Sequence, residues 1–269
     1  MSAKYSTLRL ETDARGVLTI WLARPDIRNA FNGQMIDELA RAFGIDALER
    51  KVKAVVLRGE GAVFCAGGDL NWMKQSIELD YEQNLNDTRK LTQMFAVLNE
   101  CPKPVIGAIH GAAIGGGVGL VSICDIVIAV KTTQFSLSEV RLGIIPACIG
   151  PFVIAKIGAS HARKFFLSAE RFLAEEARDA ALVHEVVETE AELAPAIEKI
   201  LGNVLNCGPQ AMAAAKKLVL DLSWPERRAQ LPNCLNTVAE VLAKLRISEE
   251  GQEGLKAFLE KRKPNWLPK

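Results

Sequence analysis

Pro104-Val-Ile-Gly-Ala-Ile-His-Gly-Ala-Ala-Ile-Gly-Gly-Gly-Val-Gly-Leu-Val-Ser-Ile-Cys124 contains no charged side chain and is long enough to span a bilayer. Its glycines argue against a spanning helix. Gly107, Gly111, Gly115, Gly116, Gly117 and Gly119 would each cost about 1 kcal/mol relative to alanine in a helix interior. The pattern reads instead as a buried strand at Val105–Ile109, a glycine turn and a short buried helix, with a second buried strand at Ile126–Val130.

Upstream, residues 6–11 and 17–23 read as two strands joined by a turn at Asp13–Gly16. Asn32 or Gly33 caps a helix predicted to run to about Arg50, with Met35, Ile36, Leu39, Phe43 and Leu48 on one face. Ala54–Leu57 reads as a short buried strand, and an amphipathic helix covers about 81–99. Beyond residue 150 helical patterns dominate, at about 150–157, 160–168, 174–181, 190–206, 209–220, 225–246 and 248–260, interrupted by one short strand at Val183–Val187. There is no internal repeat, low-complexity tract or linker. The division expected is an α/β core over 1–200 and a helical C-terminal region over 201–269.

The 269 residues are 49% apolar and 24% charged, ordinary values for a globular protein with a full core. With 33 Lys plus Arg against 32 Asp plus Glu, the net charge of +1 argues against broad attraction to nucleic acid. Cys65, Cys101, Cys124, Cys148, Cys207 and Cys234 form no CxxC pair, and His110, His161 and His184 are far apart, so no metal site is expected. Reduced, mostly buried thiols and a start lacking a secretory apolar stretch point to a cytoplasmic protein without a membrane partner.

Two segments place backbone amides at a turn entering a helix: Phe64-Cys-Ala-Gly-Gly-Asp-Leu70 and Gly115-Gly-Gly-Val-Gly-Leu120. Small residues let a ligand approach the main chain, and a helix N-terminus offers unpaired N–H groups to a developing anion. Neither matches GxGxxG, and GxxxxGK[ST] and GxSxG are absent. On residue types alone the glycines could equally serve tight packing. A third segment, Phe135-Ser-Leu-Ser-Glu-Val-Arg-Leu-Gly-Ile-Ile-Pro146, sets Glu139 beside an apolar run, with Ser138 able to cap a short helix. Glu139 reads either as a first-turn glutamate favoured by the helix dipole or as a desolvated acid suited to proton transfer. His110 reads as support for a strand end, Cys65 as a small packing residue, and Trp72 and Met73 as acyl-pocket lining or core.

In this order the segments resemble the crotonase (enoyl-CoA hydratase/isomerase) superfamily. The likeness runs from Leu22-Ala-Arg-Pro-Asp-Ile-Arg-Asn-Ala-Phe31 through Phe64–Leu70, Ile114-Gly-Gly-Gly117, Cys124-Asp-Ile126 and the Ser138-Glu139 motif to Glu253-Gly-Leu-Lys-Ala-Phe-Leu-Glu-Lys-Arg262. It implies a crotonase-like spiral of ββα units with a C-terminal helical trimerisation region, assembled as a homotrimer or hexamer. It also implies an acyl-CoA thioester substrate and no separate cofactor, coenzyme A being part of the substrate. Carried over by motif, the amides of Ala66 and Gly116 bind the thioester oxygen. Arg24, Arg28, Asp69 and Leu70 contact CoA, and Phe258 and Lys261 touch the nucleotide from a neighbouring subunit.

One departure bears on the reaction. Family hydratases carry two glutamates, one two residues after the triple glycine; here that position is Gly119, leaving Glu139 as acid/base. Hydration of a 2-enoyl-CoA by one glutamate is the expected reaction. The alternatives are Δ3,Δ2-enoyl-CoA isomerisation, which needs one base, and a non-catalytic CoA- or RNA-binding protein. A decarboxylase or hydrolase fits less well because Glu139 is retained. The segments Gly115–Leu120 and Leu137–Ala147 look like those of bacterial methylglutaconyl-CoA hydratases of leucine catabolism. That likeness implies a branched 3-methylglutaconyl-CoA-type substrate, whose second carboxylate a group such as Arg141 could meet.

Overall fold

A computed structural model describes residues 5–44, 51–224 and 234–267. Strand β1 (Leu8–Thr12) pairs antiparallel with β2 (Val17–Leu22), and Asp13 closes their turn by accepting the Arg15 and Val17 N–H groups, each at 2.9 Å. Asn32 starts α1 (Gly33–Phe43), its side chain accepting the Met35 N–H at 2.9 Å. Met35, Ile36, Leu39 and Phe43 share the buried face as expected. The helix stops at Phe43, short of Arg50, because Gly44 turns the backbone extended (ψ 146°). Leu48 and the rest of 45–50 lie outside the described residues.

Strand β3 (Ala54–Gly59) continues two residues past the expected Leu57 and pairs parallel with β2. Helix α2 (Leu70–Glu78) follows, then α3 (Tyr81–Asn99), which a reciprocal Asp80–Gln83 capping box begins where the sequence indicated. The uncharged Pro104–Cys124 run resolves into β4 (Val105–Ile109), β5 (Ala112–Ile114) and α4 (Gly116–Ile123). Among the described residues no helix is long and apolar enough to cross a membrane. Strands β6 (Ile126–Val130) and β7 (Gln134–Ser136) come next.

The two helical stretches expected over 150–168 are both present within α5 (Gly150–Ser168), separated at Gly158, whose backbone (φ 73°, ψ 163°) is not helical. After β8 (Arg171–Leu173), α6 (Ala174–Asp179) and β9 (Glu185–Val187), the chain is helical: α7 (Leu193–Val204), α8 (Pro209–Ser223), α9 (Cys234–Ile247) and α10 (Glu249–Leu259). The predicted start of α9 at 225 falls outside the described residues.

The main sheet has the order β1-β2-β3-β4-β6-β9, parallel from β2 onward. A small sheet, β5-β7-β8, was not expected; three-residue strands are too short to show alternation. Along β3, Val55 and Leu57 face the core under α1, α3, α4 and α5, while Ala54 and Val56 face α7. Burial on both faces explains the continuous apolar runs of these strands. Two lysines secure the far end of α4: half-buried Lys156 donates to the Cys124 carbonyl at 2.6 Å and Lys216 to Asp125 at 2.7 Å. Burial holds the Lys156 pKa down. The described cysteines Cys65, Cys101, Cys124, Cys148 and Cys207 are free thiols, the first three buried.

Candidate active site

The two glycine bends lie against each other. The Cys65 N–H donates to Ala112 O and the Ile114 N–H to Cys65 O, both at 3.0 Å. A Cβ on Gly67 (φ +90°) would stand 2.8 Å from the Ile114 carbonyl oxygen and 4.0 Å from the Gly116 nitrogen. Only a residue without a side chain permits that approach.

Buried main-chain N–H groups are normally paired, so an unpaired one in a bend is informative. In the first bend Cys65 N–H is used as above, Ala66 N–H donates to Arg28 O at 2.9 Å, and Asp69 N–H donates to Phe31 O at 2.8 Å. The Gly67 N–H acts on the Cys65 thiol, partly offsetting the effect of its burial. The Gly68 N–H has no acceptor among the described residues. This corrects the expectation for Ala66, whose N–H is committed within the protein. In the second bend Gly115 N–H donates to Ser136 O and Val118 N–H to Gly115 O, both at 2.8 Å, leaving Gly116 and Gly117 N–H without acceptors among the described residues at the start of α4. Gly116 is thus available as expected.

Glu139 opens a 3₁₀ turn (Glu139–Leu142) just after β7; Ser138 makes no side-chain cap to it, contrary to expectation. Its Oε1 would be 3.0 Å from a Cβ on Gly115, which places the carboxyl against the entrance of α4. Oε2 is sealed from solvent and has no hydrogen-bond partner among the described residues. Desolvation raises the Glu139 pKa above the usual carboxylate range. One helical turn on from Gly115, a Cβ on Gly119 would meet Ile149 Cγ2 at 2.3 Å and Phe95 ring carbons at 2.9 Å. An acidic side chain has no room there. Phe31 touches the other flank, its ring 2.5 Å from where a Gly116 Cβ would be, and stacks edge-on to Phe95.

The family model described as enoyl-CoA hydratase/isomerase matches residues 12–269. The chain belongs to the enoyl-CoA hydratase/isomerase family. It is 34% identical to the 2,3-dehydroadipyl-CoA hydratase of Escherichia coli over 93% of this chain and 94% of that protein. An enoyl-CoA hydratase of Alternaria alternata is 36% identical, but the match spans 76% of this chain and only 66% of that longer protein. The crystal structure of an enoyl-CoA hydratase from Shewanella pealeana superposes with a TM-score of 0.90 at 37% identity, covering 98% of this chain and 97% of that one. The crotonase fold expected from the sequence is therefore the observed one.

The other residues singled out for this enoyl-CoA hydratase/isomerase chain fall into two groups. Arg24 and Asp69 are occupied within the protein: Arg24 donates to Ala30 O at 2.7 Å and pairs with Asp69 at 2.9 Å, while Asp69 caps α2 through the Asn71 N–H. The Arg24 pairing helps hold Asp69 below its usual pKa, offsetting burial. Arg28, Leu70, Phe258 and Lys261 are exposed, Leu70 and Phe258 at 74% and 81%. Met73 lies over Gly68, its sulfur 3.2 Å from that residue's Cβ position, and Trp72 packs on the core. His110 Nε2–H donates to Gly61 O at 2.8 Å, in keeping with support of the strand end, and burial pushes the Cys65 thiol up to about 12. Sequence reasoning missed Gly68 and the packing residues Phe95 and Ile149. Only the hydrogen-bond ledger separates Gly68 from Ala66.

Proposed function

We propose that the protein adds water to a 2-enoyl-CoA, holding the thioester oxygen between the Gly68 and Gly116 N–H groups while Glu139 moves the proton. The observation that carries this reading is the sealed, unpartnered Glu139 Oε2 beside two bends with free N–H groups. The Glu139 carboxylate takes a proton from water as the water oxygen bonds C3. The π electrons shift toward the thioester oxygen, where preorganised amides stabilise the enolate more than the ground-state carbonyl. The same carboxyl then returns the proton to C2, completing the addition. Desolvation raises its pKa, which favours the carboxyl holding the proton between the two transfers.

A 3-methylglutaconyl-type acyl group fits the sequence likeness, and the Escherichia coli relative is named for an acyl group that also ends in a carboxylate. Isomerisation is the second reading, favoured by the filled space at Gly119: one carboxyl suffices to move a proton from C2 to C4 of a 3-enoyl thioester. Exposed Arg28 and Leu70 are proposed to meet CoA. Phe258 and Lys261 are proposed to reach the nucleotide of a neighbouring subunit in a homotrimer or hexamer, and the free thiols suit a cytoplasmic setting. The test is a side-by-side assay of 3-methylglutaconyl-CoA and 3-enoyl-CoA substrates. Hydration of the first supports the conclusion; double-bond migration without hydration overturns it in favour of isomerisation.

A further inference from the structure

The free N–H of Gly68 depends on how segment 28–31 is laid along segment 65–69. Arg28 O takes the Ala66 N–H at 2.9 Å, Asn29 O takes the Cys65 thiol at 3.2 Å, and Phe31 pairs on both sides of Gly68, donating to Gly67 O at 2.7 Å and accepting from Asp69 N–H at 2.8 Å. A shift of one residue would consume the Gly68 N–H and release a different one.

This register requires two successive left-handed residues, Arg28 (φ 57°) and Asn29 (φ 55°), neither of them glycine. Such a pair persists only where surrounding contacts over-determine it. Asn29 supplies those contacts. It is fully buried, its Oδ1 accepts the Arg24 N–H at 2.9 Å, and its Nδ2 donates to Glu60 O at 2.8 Å and Val63 O at 2.9 Å. Its amide thus ties the start of its own loop to the segment just after β3, directly ahead of the first bend.

We propose that Asn29 is a positioning residue for catalysis: it fixes the register between 28–31 and 65–69 and thereby leaves the Gly68 N–H available to the thioester oxygen. The proposal rests on the oxyanion-binding reading given above. Asn29 touches no substrate in this role and acts through Gly68.

Asn29→Asp keeps the acceptor for Arg24 but turns an oxygen toward the Glu60 and Val63 carbonyls. Asn29→Gly removes the side-chain bonds while favouring the left-handed backbone. Both are compared with the unaltered protein by steady-state kinetics and thermal unfolding. A third readout is the absorption band of a bound conjugated dienoyl-CoA, which moves to longer wavelength when its carbonyl is polarised. The expected result is a loss in kcat of about 100-fold for Asn29→Asp and about 10-fold for Asn29→Gly, with KM changed less than about threefold. The red shift should shrink in the same order. Folded variants with unaltered kcat and red shift overturn the proposal, and so does loss of the folded state in both, which would make Asn29 a determinant of the fold alone. If the unaltered protein gives no red shift, the oxyanion reading itself fails.

Discussion

The first bend, between β3 and α2, enters a helix with no buried residue and offers the Gly68 N–H. The second, between β5 and α4, enters a helix of eight residues with seven buried, secured at its far end by Lys156 and Lys216. Packing therefore fixes the second bend, whereas the first is held by hydrogen bonds to a segment some forty positions earlier in the chain. Glu139 belongs with the second bend, because β5 and β7 are parallel neighbours and Gly115 N–H donates to Ser136 O at 2.8 Å. Half of the site is a rigid unit and half is a strap.

If the chemistry belongs to the rigid half, Glu139→Gln should give the largest effect, a fall in kcat of about 10³- to 10⁴-fold without loss of fold. Retention of more than about a tenth of the activity in a hydration assay would remove Glu139 from the reaction. Gly116→Ala comes next. Its Cβ would press on Phe31 at 2.5 Å, and kcat should drop about 10²-fold. Gly68→Ala meets only the flexible Met73 at 3.2 Å, so a loss nearer tenfold is expected. Equal losses in the pair would erase the contrast between packed and strapped donors.

Cutting the strap's brace is a test of stability. Arg24→Met removes the donor to Asp69 Oδ2 and the Ala30 carbonyl, and urea unfolding should report a loss of about 2 kcal/mol. An unchanged midpoint would show that the first bend stands without it. The smallest effect concerns pH. The folded Glu139 pKa lies above its unfolded value, so the native state binds the proton more tightly and the carboxylate costs stability as pH rises through that window. Glu139→Gln has no such cost. Its stability relative to the unaltered protein should increase from pH 4 to pH 7, as denaturant titrations at both values would reveal.

The packed half was the more legible in the sequence. β4 and β6 occupy their predicted limits because strands buried on both faces leave unbroken apolar runs. Glu139 stood out as an acid beside apolar neighbours, and it is desolvated. The strapped half was read less well. Arg24 and Asp69 have the composition of ligand-binding loop charges, yet they satisfy each other across 45 positions, a pairing no local pattern encodes. Ala66 and Gly68 are alternatives of equal local merit, and the choice is made by carbonyls of residues 28–31. The small β5-β7-β8 sheet was invisible for a different reason, since each strand contributes a single buried position or two.

The filling of the space over Gly119 by Ile149 and Phe95 also constrains how such a chain can evolve. A lineage acquiring a second acid at that position would need to shrink two hydrophobic neighbours first, and each of those steps opens a void before any new chemistry can reward it. The one-carboxyl arrangement is therefore a local optimum with steep walls, entered through packing and left only by several coordinated substitutions.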